Sequence, residues 1–193
     1  KIGQGGLSVA TVEDFTQALA GIDLAKTPLF LRPGASALPV TALLAASLQQ
    51  QNQPLANLQG VMATDPLGML VRYGSLPMPL ETAYQEMAQV TAWAAKNAPK
   101  LQSICAHGCV WHEAGASATQ ELAYTLATAV EYLRQLLARG LSINQAAPRV
   151  RFTLSVNSNL FMEIAKIRAA RMLWATVVAA LGGNAEAQKL AIH

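Results

Sequence analysis

Charged side chains are scarce in this sequence: lysine, arginine, aspartate and glutamate together make up 13% of its 193 residues. The 14 basic residues are scattered without a long run, and the formal net charge is only +3. Because nucleic-acid-binding surfaces concentrate lysine and arginine on one face, that class of function has little support. The high hydrophobic content, 52%, beside so few charges indicates that other protein surface covers part of this chain.

Long apolar runs and cysteines are also lacking. No segment approaches the ~18 uncharged apolar residues that a bilayer-spanning helix needs, so we expect no membrane contact. The first ten residues, KIGQGGLSVA, lack the charged and then apolar layout of a signal peptide. Only Cys105 and Cys109 are present, and no further His or Cys pair completes a zinc motif. These features predict two free thiols, no metal site and a cytoplasmic location.

The phosphate-binding motifs GxGxxG and GxxxxGK[ST] are absent, although apolar strand-like and helix-like segments alternate along the chain. About six strands are predicted, the clearest at residues 29–31, 58–63, 101–106, 151–156 and 188–192. Such alternation is typical of parallel βαβ units. A doubly wound sheet usually carries a ligand loop near its first strand. We therefore predict an α/β fold, a partial (β/α)8 TIM barrel in which residues 1–193 form a single incomplete domain.

Capping signals mark several helices between these strands. Thr11 with Asp14 predicts a helix at 11–20, and Ser117 with Gln120 predicts one at 118–139. Ser158 or Asn159 is expected to cap a helix at 160–181, which two glycines end.

The last of these helices has an unusual charge pattern. Glu163 and Lys166 share one side, whereas Arg168 and Arg171 lie on a second side that is mostly apolar. Arginines on an apolar face suggest a structural ion pair, an interface with a partner subunit, or an anionic ligand.

In a (β/α)8 barrel the functional groups follow the C-terminal ends of the strands, and the richest such loop here is residues 107–115. It holds His107, Cys109, His112 and Glu113. A Cys/His nucleophile, a metal site and simple packing at a strand end are all open. Arg72, after another strand, could bind a carboxylate or phosphate through its planar guanidinium.

Long motifs make the sequence resemble a known family. They are HEAGA at 112–116, ELAYTLA at 121–127, and FMEIAKIRAARMLWA at 161–175. All resemble the methylmalonyl-CoA mutases, which are adenosylcobalamin-dependent acyl-CoA mutases. The resemblance implies a (β/α)8 barrel that binds acyl-CoA through its centre and is joined to a separate cobalamin-binding domain. This chain resembles the middle of that barrel and lacks the DxHxxG cobalt-ligand motif.

Catalytic members of the family carry YHxQEAG, in which the histidine contacts the thioester carbonyl. The position of that histidine is occupied by Val110 here, which can neither donate a hydrogen bond nor act as an acid. Arg72 is similar to the family's carboxylate-binding arginine, and Arg149 and Glu113 also match. The resemblance therefore implies that Arg72 and Arg149 bind substrate, that Glu113 binds cofactor, and that no catalytic residue is present.

A retained scaffold with an altered site resembles the small, non-catalytic subunit of a heterodimeric mutase, as does the DPLG sequence at 65–68. The implied partner is a large catalytic subunit that binds adenosylcobalamin and interconverts succinyl-CoA and methylmalonyl-CoA. One alternative is an active acyl-CoA mutase with another substrate that uses His107 or His112. A second is an acyl-CoA-binding module that uses Arg72 and Arg149.

Overall fold

A five-stranded parallel sheet forms the centre of the computed structural model, which describes residues 5–193. The strands are β1 (Leu29–Leu31), β2 (Gln59–Thr64), β3 (Lys100–His107), β4 (Val150–Thr153) and β5 (Ala191–Ile192). Each strand pairs in parallel with the next one along the chain. This sequential order has no reversal of the kind found in doubly wound sheets. It is the order of part of a (β/α)8 barrel, so the predicted fold class is confirmed.

Eight α-helices accompany the strands in the described part of the chain. They are α1 (Val12–Ala18), α2 (Ala37–Gln50), α3 (Pro66–Tyr73), α4 (Leu80–Asn97), α5 (Cys109–Glu113), α6 (Ala118–Ala138), α7 (Ile143–Ala146) and α8 (Leu160–Ala180). The predicted capping boxes at Thr11 and Ser117 are both formed. Asn159 caps α8 by accepting a hydrogen bond from the Met162 amide at 3.2 Å. No helix within residues 5–193 is long and apolar enough to cross a membrane.

The two largest hydrophobic clusters of the described residues lie between the sheet and its helices. One packs α4, α6 and α8 on β3 and β4, and its largest side chain, Trp174, meets the Phe152 ring edge-to-face at 5.3 Å between centroids. The other packs α1, α2 and α4 on β2 and the start of β3, around Leu44, Leu48 and Met62. Together they hold these helices on one face of the sheet.

The buried ion pair of helix α8 lies on its Glu163–Lys166 side and not on the side of the two arginines. Lys166 is buried between Glu121 and Glu163, with its Nζ 2.7 Å and 2.6 Å from their carboxylate oxygens. Burial by itself lowers the pKa of Lys166, but the hydrogen bonds to both carboxylates outweigh burial and raise the pKa above its usual value. Arg168 and Arg171 are exposed and make no ion pair within residues 5–193. The buried ion pair therefore belongs to the opposite side of the helix.

The same ion cluster explains why β4 is shorter than predicted. The strand was expected to run to residue 156, but it ends at Thr153. The Ser155 amide donates to Glu121 at 2.7 Å, and the Ser155 carbonyl accepts from Lys166 at 2.6 Å. The side chains of Glu121 and Lys166 thus form hydrogen bonds with backbone groups that would pair with a neighbouring strand if β4 were longer. The final strand is also shorter than predicted, with two residues.

Candidate functional site

A cleft of about 420 Å³ opens at the C-terminal ends of β1, β2 and β3. Five ionisable side chains besides Cys109 and Tyr73 line it, namely Arg32, Asp65, Arg72, His107 and Glu113. Its apolar lining includes Ala63, Met69 and Val110. The barrel resemblance predicts functional groups at these strand ends, and the structure brings Arg72, Glu113 and His107 together there.

Arg72 and Glu113 form an ion pair across the rim of the cleft. Arg72 lies in the last turn of α3 and Glu113 ends α5, and the Nη2 to Oε2 distance is 2.6 Å. The hydrogen bond to Glu113 raises the pKa of Arg72. Because both side chains are about half exposed, at 45% and 59%, the pair contributes at most about 1 kcal/mol to stability. A ligand carboxylate could therefore compete for Arg72 at small cost.

Asp65 organises the interior wall of the cleft. It follows β2 and caps α3, with its Oδ1 accepting from the Gly68 amide at 3.2 Å. The same oxygen accepts from the Tyr132 hydroxyl at 2.5 Å, while Oδ2 lies 2.8 Å from His107 Nδ1. The carboxylate is thus buried with donors on both oxygens.

The direction of the Tyr132–Asp65 hydrogen bond follows from the other contact of the Tyr132 hydroxyl. The hydroxyl oxygen accepts from the Leu67 amide at 2.9 Å, so the hydroxyl hydrogen is left to donate to Asp65. At Oδ2, Nδ1 of His107 donates when the ring is protonated, the state that the raised pKa of His107 favours. Burial, with the nearby Asp65 charge, raises the pKa of Tyr132 well above its usual value, which keeps the phenol protonated.

His107 is held as a cation by these surroundings. Burial alone lowers the pKa of His107, but the hydrogen bond to Asp65 and the nearby Cys105 thiol raise it more, to about 10. At neutral pH the ring therefore carries a proton on both nitrogens. The His107–Asp65 pair places a fixed donor on the wall of the cleft.

Two glycines make this arrangement possible. A Cβ atom on Gly68 would lie 1.9 Å from Asp65 Oδ2, so any other residue would displace the carboxylate. A Cβ atom on Gly108 would lie 2.7 Å from both the Thr153 carbonyl and the Thr125 hydroxyl. Gly108 instead donates its amide to Thr153 at 2.8 Å, which holds the end of β3 against β4.

The family model of methylmalonyl-CoA mutase matches residues 1–193. This chain belongs to the methylmalonyl-CoA mutase family. It is 33% identical over its full length to the methylmalonyl-CoA mutase large subunit of Propionibacterium freudenreichii subsp. shermanii, of which it covers 26%. It is 36% identical over 92% of its length to the human mitochondrial methylmalonyl-CoA mutase, of which it covers 24%. The chain thus spans about a quarter of the length of the curated relatives it matches.

Two further residues of this member of the methylmalonyl-CoA mutase family, Cys109 and Val110, also line the cleft. Val110 lines it, in the short helix α5 that replaces the loop predicted at 107–115. Both cysteines are free, and Cys109 makes no hydrogen bond to His107 or His112 in the described part of the chain. Within residues 5–193, no cluster of three or more His, Cys, Asp or Glu side chains could hold a metal ion.

Arg149 lies at the other end of the strands. It precedes β4, is buried, and donates from Nη1 to the backbone carbonyls of Pro99 and Leu101. Its desolvation lowers the pKa of the guanidinium. The structure therefore does not bring Arg149 together with Arg72 and Glu113, and its role in substrate binding stays a prediction.

The Asp65–His107–Tyr132 group is not predicted from the sequence. Asp65 enters the sequence argument only through the DPLG sequence at 65–68. His107 enters it as a partner of a cysteine or a metal and as a replacement for the missing histidine, but not as a partner of Asp65. One signal was available, because Asp65 follows β2 and His107 is the last residue of the neighbouring parallel strand β3, and the C-terminal ends of these strands meet at one edge of the sheet. Nothing in the sequence indicated that Tyr132, on α6, reaches the same carboxylate.

Proposed function

We propose that this chain is part of the non-catalytic small subunit of a methylmalonyl-CoA mutase. In this role it supports a larger catalytic subunit that interconverts succinyl-CoA and methylmalonyl-CoA. The observation that carries the proposal is Val110, an aliphatic side chain on the cleft wall. The family resemblance implies that catalytic members have a histidine at this position. An aliphatic side chain cannot donate a hydrogen bond to a thioester carbonyl.

Within that function, Arg72 is the residue we assign to the carboxylate of an acyl-CoA. Its guanidinium lies on the cleft rim, and its exposed partner Glu113 leaves it accessible. A planar guanidinium binds a carboxylate through two parallel hydrogen bonds. Arg149 was also predicted to bind substrate, but its bonds to Pro99 and Leu101 favour a structural role at the opposite end of the strands.

Glu113 is the residue we assign to cofactor contact in the assembled enzyme. Its Oε2 is engaged by Arg72, whereas Oε1 makes no hydrogen bond within residues 5–193 and is free to accept one. A carboxylate at the rim suits the hydroxyl or amide donors of a large polar cofactor. Adenosylcobalamin would supply the radical chemistry when bound, and the catalytic subunit would hold it.

Purification of the full-length protein from its native cells, in the cytoplasmic fraction, tests this proposal. Mass spectrometry should identify a stoichiometric, larger homologue in the eluate, and the absorbance spectrum should show a corrin carried by that homologue. A homo-oligomer that binds cobalamin and isomerises methylmalonyl-CoA without a partner would contradict the proposal.

One observation favours a second candidate, an acyl-CoA mutase that acts on another substrate. The His107 imidazolium lies on the same cleft and could polarise an acyl oxygen in place of the missing histidine. This candidate requires turnover by the partner-free protein with added cofactor, and loss of that turnover in His107→Gln. Absence of turnover in the partner-free protein would exclude it.

A further inference from the structure

Helix α8 is apolar on the side that faces away from the sheet. Its buried side holds Glu163 and Lys166. By helical periodicity, Phe161, Ile164 and Met172 lie on the opposite side, where Phe161 is 82% exposed and Met172 is 66% exposed. A surface helix usually carries polar residues on its outer side, and a helix that is apolar all round is usually covered. The outer side of α8 therefore has the composition of a covered surface.

The exposed apolar side chains are concentrated on this helix and its ends. Of the fourteen large hydrophobic side chains that are exposed within residues 5–193, eight lie between residues 156 and 181. A groove of about 590 Å³ lies along the outer side of α8 between Phe161 and Met172, and Ala165 and Ala169 also line it. Single exposed hydrophobic residues are ordinary, whereas a contiguous apolar patch marks an interaction site. We call this patch the α8 groove.

Two arginines give the α8 groove a positive charge. Arg168 lines it, and Arg171 is exposed two turns after Ile164 on the same face. Neither arginine makes an ion pair within residues 5–193, which excludes a structural ion pair there. A small anionic ligand would engage both arginines but leave Phe161 and Met172 in water. A protein surface that combines carboxylates with apolar side chains covers all of them.

The charge of the α8 groove argues against a second copy of this chain as its occupant. Two copies related by a two-fold axis bring the same surface patch of each together. The unpaired Arg168 and Arg171 of both copies would then meet, and like charges that face each other oppose association. Among the described residues, the groove is lined by Arg168 and by no acidic side chain. Its occupant is therefore a different and acidic surface.

The dimensions of the α8 groove suit a helix. Residues 161 to 172 span about 16 Å, since each helical residue rises about 1.5 Å, and this length equals about three turns of a partner helix. Ala165 and Ala169 are small, so the axis of a packed helix can approach that of α8 to about 8–10 Å. An amphipathic helix in a groove places its apolar side chains three or four residues apart, on the one face that the groove accepts.

We propose that the α8 groove binds an acidic amphipathic helix of the larger mutase homologue. The apolar side chains of that helix fill the groove, and its carboxylates pair with Arg168 and Arg171. The identity of the partner rests on the proposed function, whereas the chemistry of its helix rests on the residues of the groove. This surface lies on the outer side of α8 and shares no lining residue with the cleft at the strand ends.

Site-specific photo-crosslinking in the full-length protein, produced in its native cells, tests the docking site. The photoreactive residue p-benzoylphenylalanine replaces Ile164 in one variant and Met172 in another, and it replaces Ala92, exposed on α4, in the control. Mass spectrometry then identifies the crosslinked peptides. We expect both groove positions to crosslink to one helical segment of the larger homologue that is rich in aspartate and glutamate, and the control position to give no crosslink to that segment.

Charge reversal measures the contribution of the two arginines. The test variant combines Arg168→Glu with Arg171→Glu, and the control combines Lys26→Glu with Lys96→Glu, which changes the net charge equally at exposed positions elsewhere. Dilution of the purified complex, followed by sedimentation, gives the dissociation constant for the homologue. We expect binding to weaken about 10-fold or more in the test variant and to change little in the control. The difference should shrink at high salt, because salt screens exposed charges.

Several outcomes would overturn the proposal. One is a crosslink from either groove position to a second copy of this chain or to another part of the same polypeptide. Another is an equal dissociation constant for the two charge-reversal variants. If the test variant fails to fold, the crosslinks from residues 164 and 172 decide the question, and their absence from the homologue overturns the proposal as well.

The proposed function fails on a separate observation. A larger homologue that co-purifies without a crosslink to the α8 groove would refute the docking site alone. Purification without any larger homologue would contradict the proposed function and, with it, the identity of the partner.

Discussion

Replacement of Asp65 by asparagine should remove the anchor of His107 and change how stability depends on pH. A pKa of about 10 for His107, against 6.5 for an ordinary histidine, corresponds to roughly 5 kcal/mol. This figure is an upper value, since loss of one partner of a buried pair typically costs about 3–5 kcal/mol. We expect Asp65→Asn to lose most of it at neutral pH.

The pH dependence of the wild type has a definite sign. Because the pKa of His107 is raised in the folded protein, its contribution to stability is complete below pH 6.5. That contribution decreases as the pH rises from 6.5 towards about 10, where the folded-state imidazolium loses its proton. In Asp65→Asn the pKa of His107 should fall towards or below 6.5, because burial is then opposed only by Cys105.

Urea denaturation at several pH values between 6.5 and 10, with NMR titration of the histidine ring protons, measures both effects. Asp23→Asn is the matched control, since Asp23 pairs with Lys26 on the exposed surface and should cost less than about 1 kcal/mol. The reasoning is refuted if His107 titrates near 6.5 in the wild type. It is also refuted if Asp65→Asn unfolds at the same urea concentration as the control at neutral pH.

Two other substitutions test the supports of the site. Lys166→Met leaves two buried carboxylates without a counter-charge and should cost about 3–5 kcal/mol in urea denaturation. Lys189→Met, in an exposed ion pair, should cost less than about 1 kcal/mol, and equal costs would contradict the burial of Lys166. Gly68→Ala should displace the Asp65 carboxylate and lower the pKa of the histidine bound to it. An unchanged titration of His107 in this variant would show that the Asp65 carboxylate keeps its position when a Cβ atom is added at residue 68, and would contradict the role given to Gly68.

Local sequence signals were sufficient for most of the fold. The capping boxes at Thr11 and Ser117 and the asparagine cap at Asn159 each depend on residues at most three positions apart. Such contacts form within one helical turn, so their sequence pattern determines them. The absence of a ligand loop near the first strand correctly favoured a barrel over a doubly wound sheet.

Features that depend on distant residues could not be predicted in the same way. Helical periodicity shows that Glu163 and Lys166 share a side of α8, but not that this side is buried. That orientation depends on Glu121, 45 residues away from Lys166, which supplies the second carboxylate. The end of β4 depends on the same contact, because Glu121 and Lys166 take the backbone groups of Ser155.

The candidate site shows the same division. Arg72 and Glu113, which family resemblance selected, lie together at the cleft, whereas Arg149 lies at the opposite end of the strands. A motif match identifies a residue as similar to one in the family, but it does not show which groups that residue contacts in this chain. The Asp65–His107 pair follows from the parallel order of β2 and β3, which the sequence indicates only once the fold is known.

Co-purification of the full-length protein from native extract, with mass spectrometry and a corrin absorbance spectrum of the eluate, tests the central claim most directly. A larger homologue in equal amount that carries the corrin would support the role of a non-catalytic subunit. A homo-oligomer that carries the corrin itself and isomerises an acyl-CoA would contradict that role, and His107 would then be the first residue to test for catalysis.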